Sequence, residues 1–238
     1  MWYKVKKIYQ WSNLVRPNWW KPWANTIAYY PLTDDFNDHK WSWTLYNLTN
    51  NTVSGNSVIL TTLSWVKCAD IHWAYLSASF VMNTLPCTLV FWNKSKWTVS
   101  NSQRPFWLTF NDLWSWWWWG LHPEGTNQLR IRYWNNTDQK TEVSYTINTN
   151  RHLYCLTLAS DGCHLYIDDG TTTFNPKNSL QNPSNSWSPF RIWANQAWQT
   201  GNSNWAYWYM WDVILENRVW SLDEFKNYYN SKKSNYGL

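Results

Sequence analysis

Arg151–Gly170 reads RHLYCLTLASDGCHLYIDDG. Two arms of alternating residues flank Asp161-Gly162, a dipeptide suited to a type I′ turn, whose central residues need φ > 0. Period-2 alternation around such a turn predicts a β-hairpin. Working outward, the same alternation or a β-branched and aromatic cluster predicts strands at Tyr3–Tyr9, Thr26–Leu32, Thr44–Leu48, Ser57–Thr62, Ala74–Phe80, Thr88–Trp92, Phe106–Phe110, Gln128–Tyr133, Glu142–Ile147, Phe190–Ile192 and Tyr207–Leu215. Their spacing is often close to the ~8–12 residues of β-sandwich chains. One helix is expected: Ser221 as N-cap, Glu224 closing a capping box, then Phe225, Tyr228 and Tyr229 on one face. The expected class is therefore all-β, a sandwich with a short C-terminal helix.

Composition raises a separate question. The 238 residues include 25 Trp but only 7 Gly, and an all-β chain needs glycine for its turns. Many tryptophans stand among turn formers: Trp41-Ser42-Trp43 after Asn37-Asp38-His39-Lys40, the run Ser115-Trp116-Trp117-Trp118-Trp119-Gly120, Trp134 before Asn135-Asn136, Trp187 before Ser188-Pro189, and Trp205 after Asn202-Ser203-Asn204. Read as glycine, the run 115–120 becomes a Gly-rich loop. UGA means glycine in some bacterial lineages and their phages and tryptophan in another common code, so decoding with the wrong table produces this pattern. Trp92 and Trp220 read as genuine, within an apolar run and beside the helix. The other explanation is a Trp-rich binder with exposed indoles for stacking.

Charge is modest, +5 and dispersed, which argues against a nucleic-acid partner. No stretch approaches the ~20 apolar residues of a membrane span. Cys68, Cys87, Cys155 and Cys163 show no Cys-x-x-Cys spacing, and pairing about Asp161-Gly162 leaves Cys155 out of reach of Cys163, so free thiols are expected. Residues 1–24 read as an N-terminal appendage without a secretory h-region, residues 25–233 as the sandwich and 234–238 as a tail.

With tryptophan read as glycine where turns demand it, IAYYPLTDDFNDHKWSWTLYN from Ile27, HWAYLSASF, TLVFWNKS, RHLYCLTLASDGCHLYIDDG, FRIWANQAW and YMWDVILENRVWSLDEFKNYYN together resemble laminin-G-like, concanavalin A-like lectin/glucanase domains. Trp73, Trp193 and Trp211 stand at glycine positions of that pattern, and Arg151-His152 where it has Trp-His. The likeness runs over roughly residues 26–230 and implies a jelly-roll β-sandwich of two antiparallel sheets. The first 24 residues are similar to openings of phage tail-associated or virion surface proteins.

Glycosidases of this fold class need two carboxylates flanking a sugar bond. Only Glu124, Glu142, Glu216 and Glu224 are available, and none stands in the Glu-x-Asp-x-(x)-Glu pattern of the fold's glucanases. Asp168-Asp169 are adjacent, so they point to opposite faces and read as a solvated turn. No metalloprotease, nucleophile-elbow or phosphate-loop signature is present. No catalytic residue is therefore assigned, and no enzyme is expected. Similar domains often hold a structural Ca²⁺; here its candidate ligands are Asp34, Asp35, Asp38 and Asp212, and no other cofactor is expected.

These features predict a non-enzymatic carbohydrate-binding or adhesion module on a cell or virion surface, with a glycan or surface protein as partner and no membrane insertion. The alternative is a structural or decoration domain of a phage tail or surface assembly, acting through protein–protein contacts. Sequence does not name the ligand-binding residues or the oligomeric state. The gene is predicted to carry UGA at Trp116–Trp119; UGG there contradicts the glycine interpretation.

Overall fold

The computed structural model describes residues 25–40, 45–52, 55–72, 74–80, 84–96, 107–111, 118–123, 128–134, 138–170, 172–177, 190–193 and 207–238. Its strands are β1 (Thr26–Tyr30), β2 (Thr49–Thr52), β3 (Ile59–Leu63), β4 (Val66–His72), β5 (Ala74–Ala78), β6 (Cys87–Ser95), β7 (Trp107–Asn111), β8 (Trp118–Pro123), β9 (Gln128–Trp134), β10 (Asp138–Ser144), β11 (Arg151–Ala159), β12 (Gly162–Ile167), β13 (Thr172–Lys177), β14 (Phe190–Trp193) and β15 (Tyr207–Glu216). Helix α1 (Leu222–Lys232) and a 3-10 turn (Lys233–Tyr236) follow. One sheet runs β13-β12-β11-β6-β15-β4-β3, with β1 also paired to β15; the other runs β10-β9-β8-β7-β14-β5-β2. Every described pairing is antiparallel. The expected sandwich of two antiparallel sheets is the observed one.

Alternation along the strands builds two apolar layers. Leu89, Phe91, Tyr154, Leu156, Leu158, Met210, Val213 and Leu215 face Leu76, Leu121, Ile131, Phe190 and Ile192 of the second sheet. Their odd-even partners Val90, Trp92, Leu153, Cys155, Trp211 and Ile214 point out of the sandwich, onto Phe225 and Tyr228 of α1 and onto Tyr236. A strand apolar on both faces must be covered twice, and α1 is the second cover. Fully burying each such side chain stabilises by about 1.5–3 kcal/mol.

The helix begins as expected. Ser221 Oγ accepts from the Glu224 amide at 3.2 Å, while the Ser221 amide donates to Glu224 Oε2 at 2.8 Å. Residues 234–236, assigned by sequence to a tail, instead form the turn that buries Tyr236.

Four differences from the sequence expectation have physical reasons. The hairpin turn is Ser160-Asp161, with Ala159 opposite Gly162 and Leu158 opposite Cys163, because Gly162 supplies its permissive φ of 145° at the strand end. Strands β4 and β13 lie where no strand is expected, since VKCADIH and TTFNPK carry polar residues that blur their periodicity. Trp118–Gly120, expected in a loop, lie in β8 between β7 and β9. The strand expected at Thr44–Leu48 is replaced by β2, four residues of Thr and Asn at the sheet edge. All four cysteines are free and buried, and burial pushes the Cys68 thiol up to about 12.

The tryptophans divide by environment. Trp92, Trp208, Trp211 and Trp220 are fully buried; Trp211, placed at a glycine position by the resemblance, fills the layer beneath α1, and the positive φ falls on Asp212 (37°) instead. Trp134 ends β9, whereas Trp41, Trp187 and Trp205 lie outside the described residues, as do residues 1–24. Trp65 is different. It is 97% exposed at the tip of the β3–β4 hairpin, with φ 70° beside Ser64 at 51°, the double positive φ of a type I′ turn. An indole there gains no packing and carries the left-handed penalty. Trp65→Gly is expected to raise Tm by about 2–4 °C, the shift that ~1 kcal/mol gives in a domain of this size; an unchanged or lower Tm in a thermal melt contradicts the assignment of a glycine position.

Candidate functional site

The most connected polar group is Asp212, 2% exposed. Between Trp211 and Ile214 the register of β15 against β6 shifts, so Trp211 and Asp212 both turn to the α1 side while Met210 and Val213 face the sandwich core. Asp tolerates the left-handed conformation better than most residues. Its Oδ1 accepts from Tyr29 Oη at 2.7 Å, and its Oδ2 from Tyr228 Oη at 3.0 Å and Tyr236 Oη at 2.5 Å. Lys232 Nζ lies 3.1 Å from Oδ2. Burial alone would raise its pKa, but the Lys232 charge and the donated hydroxyls outweigh that and hold it below the ordinary 3.8. Three hydroxyls and one ammonium converge on this carboxylate, so the cluster clamps β1, α1 and the terminal turn to β15.

The second buried carboxylate is equally engaged. Glu216 accepts from Thr26 Oγ1 at 3.1 Å and Trp220 Nε1 at 2.6 Å, and Arg218 Nε lies 2.6 Å away. Arg218 also reaches Glu224 at 2.5 Å. Glu216 and Glu224 are thus bridged through one guanidinium and a helix cap, an arrangement that orders the chain leading into α1. Glu124 and the side chain of Glu142 lie outside the described residues.

The four calcium candidates are not gathered at one point. Asp38 Oδ1 accepts the amides of Tyr29 and Lys40, and Oδ2 that of Tyr46. Asp212 shares Tyr29 with it, through the hydroxyl rather than the amide. Asp34 pairs with Lys67, and Asp35 accepts from the Asn37 amide at 3.0 Å and contacts His39 Nε2 at 2.8 Å. Donors around Asp38 and Asp212 have the polarity opposite to a cation cage. Among the described residues no group of three or more His, Cys, Asp or Glu is arranged to hold a metal.

Sequence treated Asp168 as a solvated turn residue. It sits at φ 56°, accepts the Leu153 amide at 3.1 Å, and places Oδ2 2.8 Å from His152 Nδ1. His152 Nε2 is 2.9 Å from Asn148 Oδ1. Both ring nitrogens are engaged and the ring is 7% exposed, so the pair fastens the β12–β13 turn to β11. The His in Arg151-His152 was the available signal.

Two groups of polar and aromatic residues lie on outer sides of the sheets away from α1, half-buried apart from Arg191, which is 9% exposed. On the second sheet, Asn51, Tyr75, Ser77 and Arg191 share the outer side: Asn51 Nδ2 donates to Ser77 Oγ at 2.9 Å and the Arg191 guanidinium lies 5.8 Å from the Tyr75 ring. On the first sheet, Lys96 Nζ sits 2.5 Å from Asp70 Oδ1 and 4.7 Å from the centre of the Tyr209 ring. Aromatic rings beside charged and amide groups suit sugar recognition, with C–H faces against rings and hydroxyls on polar atoms. Neither face is visible in a linear reading, because its residues come from strands far apart in sequence.

No family model matches the chain, and no curated protein matches it in sequence. Solved structures do. Domain 4 of AbnA, a GH43 extracellular arabinanase from Geobacillus stearothermophilus, solved in complex with arabinotriose, aligns with TM-score 0.67 at 9% identity over 85% of this chain and 97% of that one. A structure of botulinum neurotoxin type C, whose cell entry depends on two ganglioside molecules, aligns at 0.66 with 14% identity, over 87% of this chain and 51% of that one. The binding domain of Paraclostridial Mosquitocidal Protein 1 aligns at 0.64 with 13% identity, over 87% and 52%. The chain shares their β-sandwich fold. It spans about half the length of the toxin structures.

Asp212 contributes to acid stability. Its folded pKa lies below the unfolded value, so its contribution is present above about pH 4 and is lost as pH falls through the folded value. Asp212→Ala is expected to cost about 3–5 kcal/mol at neutral pH and to flatten the acid limb in denaturant melts across pH. An acid limb as steep as that of the parent contradicts this role.

Proposed function

We propose that this chain is a non-enzymatic carbohydrate-binding or adhesion module displayed on a cell or virion surface. The observation that carries it is the alignment over nearly all of a separate domain solved with arabinotriose, supported by the ganglioside dependence stated for a second neighbour. The chemistry agrees: Asp212, Glu216 and Glu224 hold structure together rather than flank an open cleft, while the partly exposed outer face of the first sheet sets the Tyr209 ring beside Lys96 and Asp70. No helix is long and apolar enough to cross a membrane.

The laminin-G-like likeness belongs to the same proposal, supported by the order of strands and the closing helix. So does the glycine interpretation, supported by Trp65 and opposed at position 211 by a buried indole. A structural calcium on Asp34, Asp35, Asp38 or Asp212 also belongs to this proposal, supported only by the exposed carboxylates of Asp34 and Asp35. A phage tail or surface-assembly brick is the other outcome, reached if protein partners are captured and sugars are not.

On a glycan array, the full chain is expected to retain at least one saccharide class without hydrolysing it, in calcium or in chelator. An array blank in both conditions contradicts the proposal, and a Tm identical in calcium and chelator removes the metal.

A further inference from the structure

We propose that the open half of the β3–β4–β15–β6–β11 face binds an acidic saccharide, whose carboxylate or sulfate seats between Lys94 and Arg151. This rests on the glycan-binding proposal and adds the charge of the ligand and its place. Cross-strand pairing sets one continuous row: Ile59 opposite Asp70, Asp70 opposite Tyr209, Tyr209 opposite Lys94, and Lys94 opposite Arg151. Alternation puts the row on the α1 side of the sheet, since Cys68, Trp92, Trp211 and Leu153 beside it belong to the layer beneath the helix. Four strand spacings of ~4.8 Å give roughly 19 Å, the reach of a short oligosaccharide rather than of a lone ion.

The row contains an uncompensated charge. Like charges directly opposite on adjacent strands destabilise a sheet, yet Lys94 faces Arg151. The carboxylate of the row, Asp70, is taken by Lys96 at 2.5 Å. Among the described residues neither Lys94 nor Arg151 has a carboxylate partner. The Arg151 guanidinium is held 4.3 Å from the centre of the Trp211 ring and 5.6 Å from that of Tyr236, and its Nε is buried without an acceptor. A guanidinium fixed on two rings is preorganised for a planar anion. Tyr209 lies opposite Lys94, its ring 4.7 Å from Lys96 Nζ and 6.4 Å from the centre of the Trp211 ring, and Ile59, 54% exposed, ends the row with apolar surface for a sugar's C–H face. Nucleic acid fits less well, because it needs a track of cations along its backbone and here Asp70 interrupts a compact cluster.

The test is calorimetric titration of the full chain with a uronic-acid oligosaccharide, a sulfated oligosaccharide, a neutral oligosaccharide and single-stranded DNA. At least one acidic saccharide is expected to bind, more weakly as salt rises, and the two acidic arms separate carboxylate from sulfate. Lys94→Gln is expected to weaken it about tenfold or more without lowering Tm, and Arg151→Lys to weaken it through loss of the planar fork. Lys67→Gln, with the same charge change on the β3–β4 hairpin, leaves the affinity as it was. Acidic saccharides binding no better than the neutral one, equal affinity in Lys94→Gln, or a Lys94-dependent preference for DNA overturns the inference. Neutral binding without acidic binding leaves the glycan proposal standing; no saccharide binding defeats both.

Discussion

A single carboxylate with four donors around it sets what covers what in this molecule. Asp212 lies on a strand that must be apolar on one side for the sandwich core and apolar on the other for α1. The register shift beside it turns its side chain to the helix side, where Tyr29, Tyr228, Tyr236 and Lys232 meet it. Without the shift, alternation would direct the carboxylate into the space between the sheets, where no hydroxyl or ammonium awaits it. A buried charge so placed costs several kcal/mol unless it is fully paired. The positive φ at 212 is the local strain that avoids that cost.

From this constraint follows the division of the outer face of the first sheet. The helix is drawn over Trp92, Cys155, Trp211 and Ile214, and the strand ends beyond it carry Asp70, Tyr209, Lys94 and Arg151, each half-buried. Arg151 marks the border: its guanidinium rests on the same Trp211 and Tyr236 that the Asp212 cluster fixes. Stability and the candidate binding face are thus joined through shared side chains.

Much of the fold was legible because its decisive stretches are strongly periodic. RHLYCLTLASDGCHLYIDDG and the Ser221–Glu224 capping box each carry their local structure in short range. The misses share one cause. In β13 and β2 the residue types are mostly polar, and in β4 Lys67, Asp70 and His72 break the alternation of the apolar residues, so the strand state is imposed by neighbours in the sheet rather than by a clean pattern. The turn of the β11–β12 hairpin shifted by one residue because Gly162 serves the strand end rather than the turn centre. The site was much less legible. Asp212 could be named as a carboxylate of interest, but its partners come from residues 29, 228, 232 and 236, and only the fold shows that they supply donors. The row from Ile59 to Arg151 draws on five strands, so no spacing in the sequence announces it.

Hydrogen exchange in Asp212→Asn tests the central role of this cluster most directly. Amides of Leu222–Lys232 are expected to lose protection while those of β11 and β12 keep theirs, because the helix is released from a sandwich that persists. Helix protection equal to that of the parent chain would contradict that role.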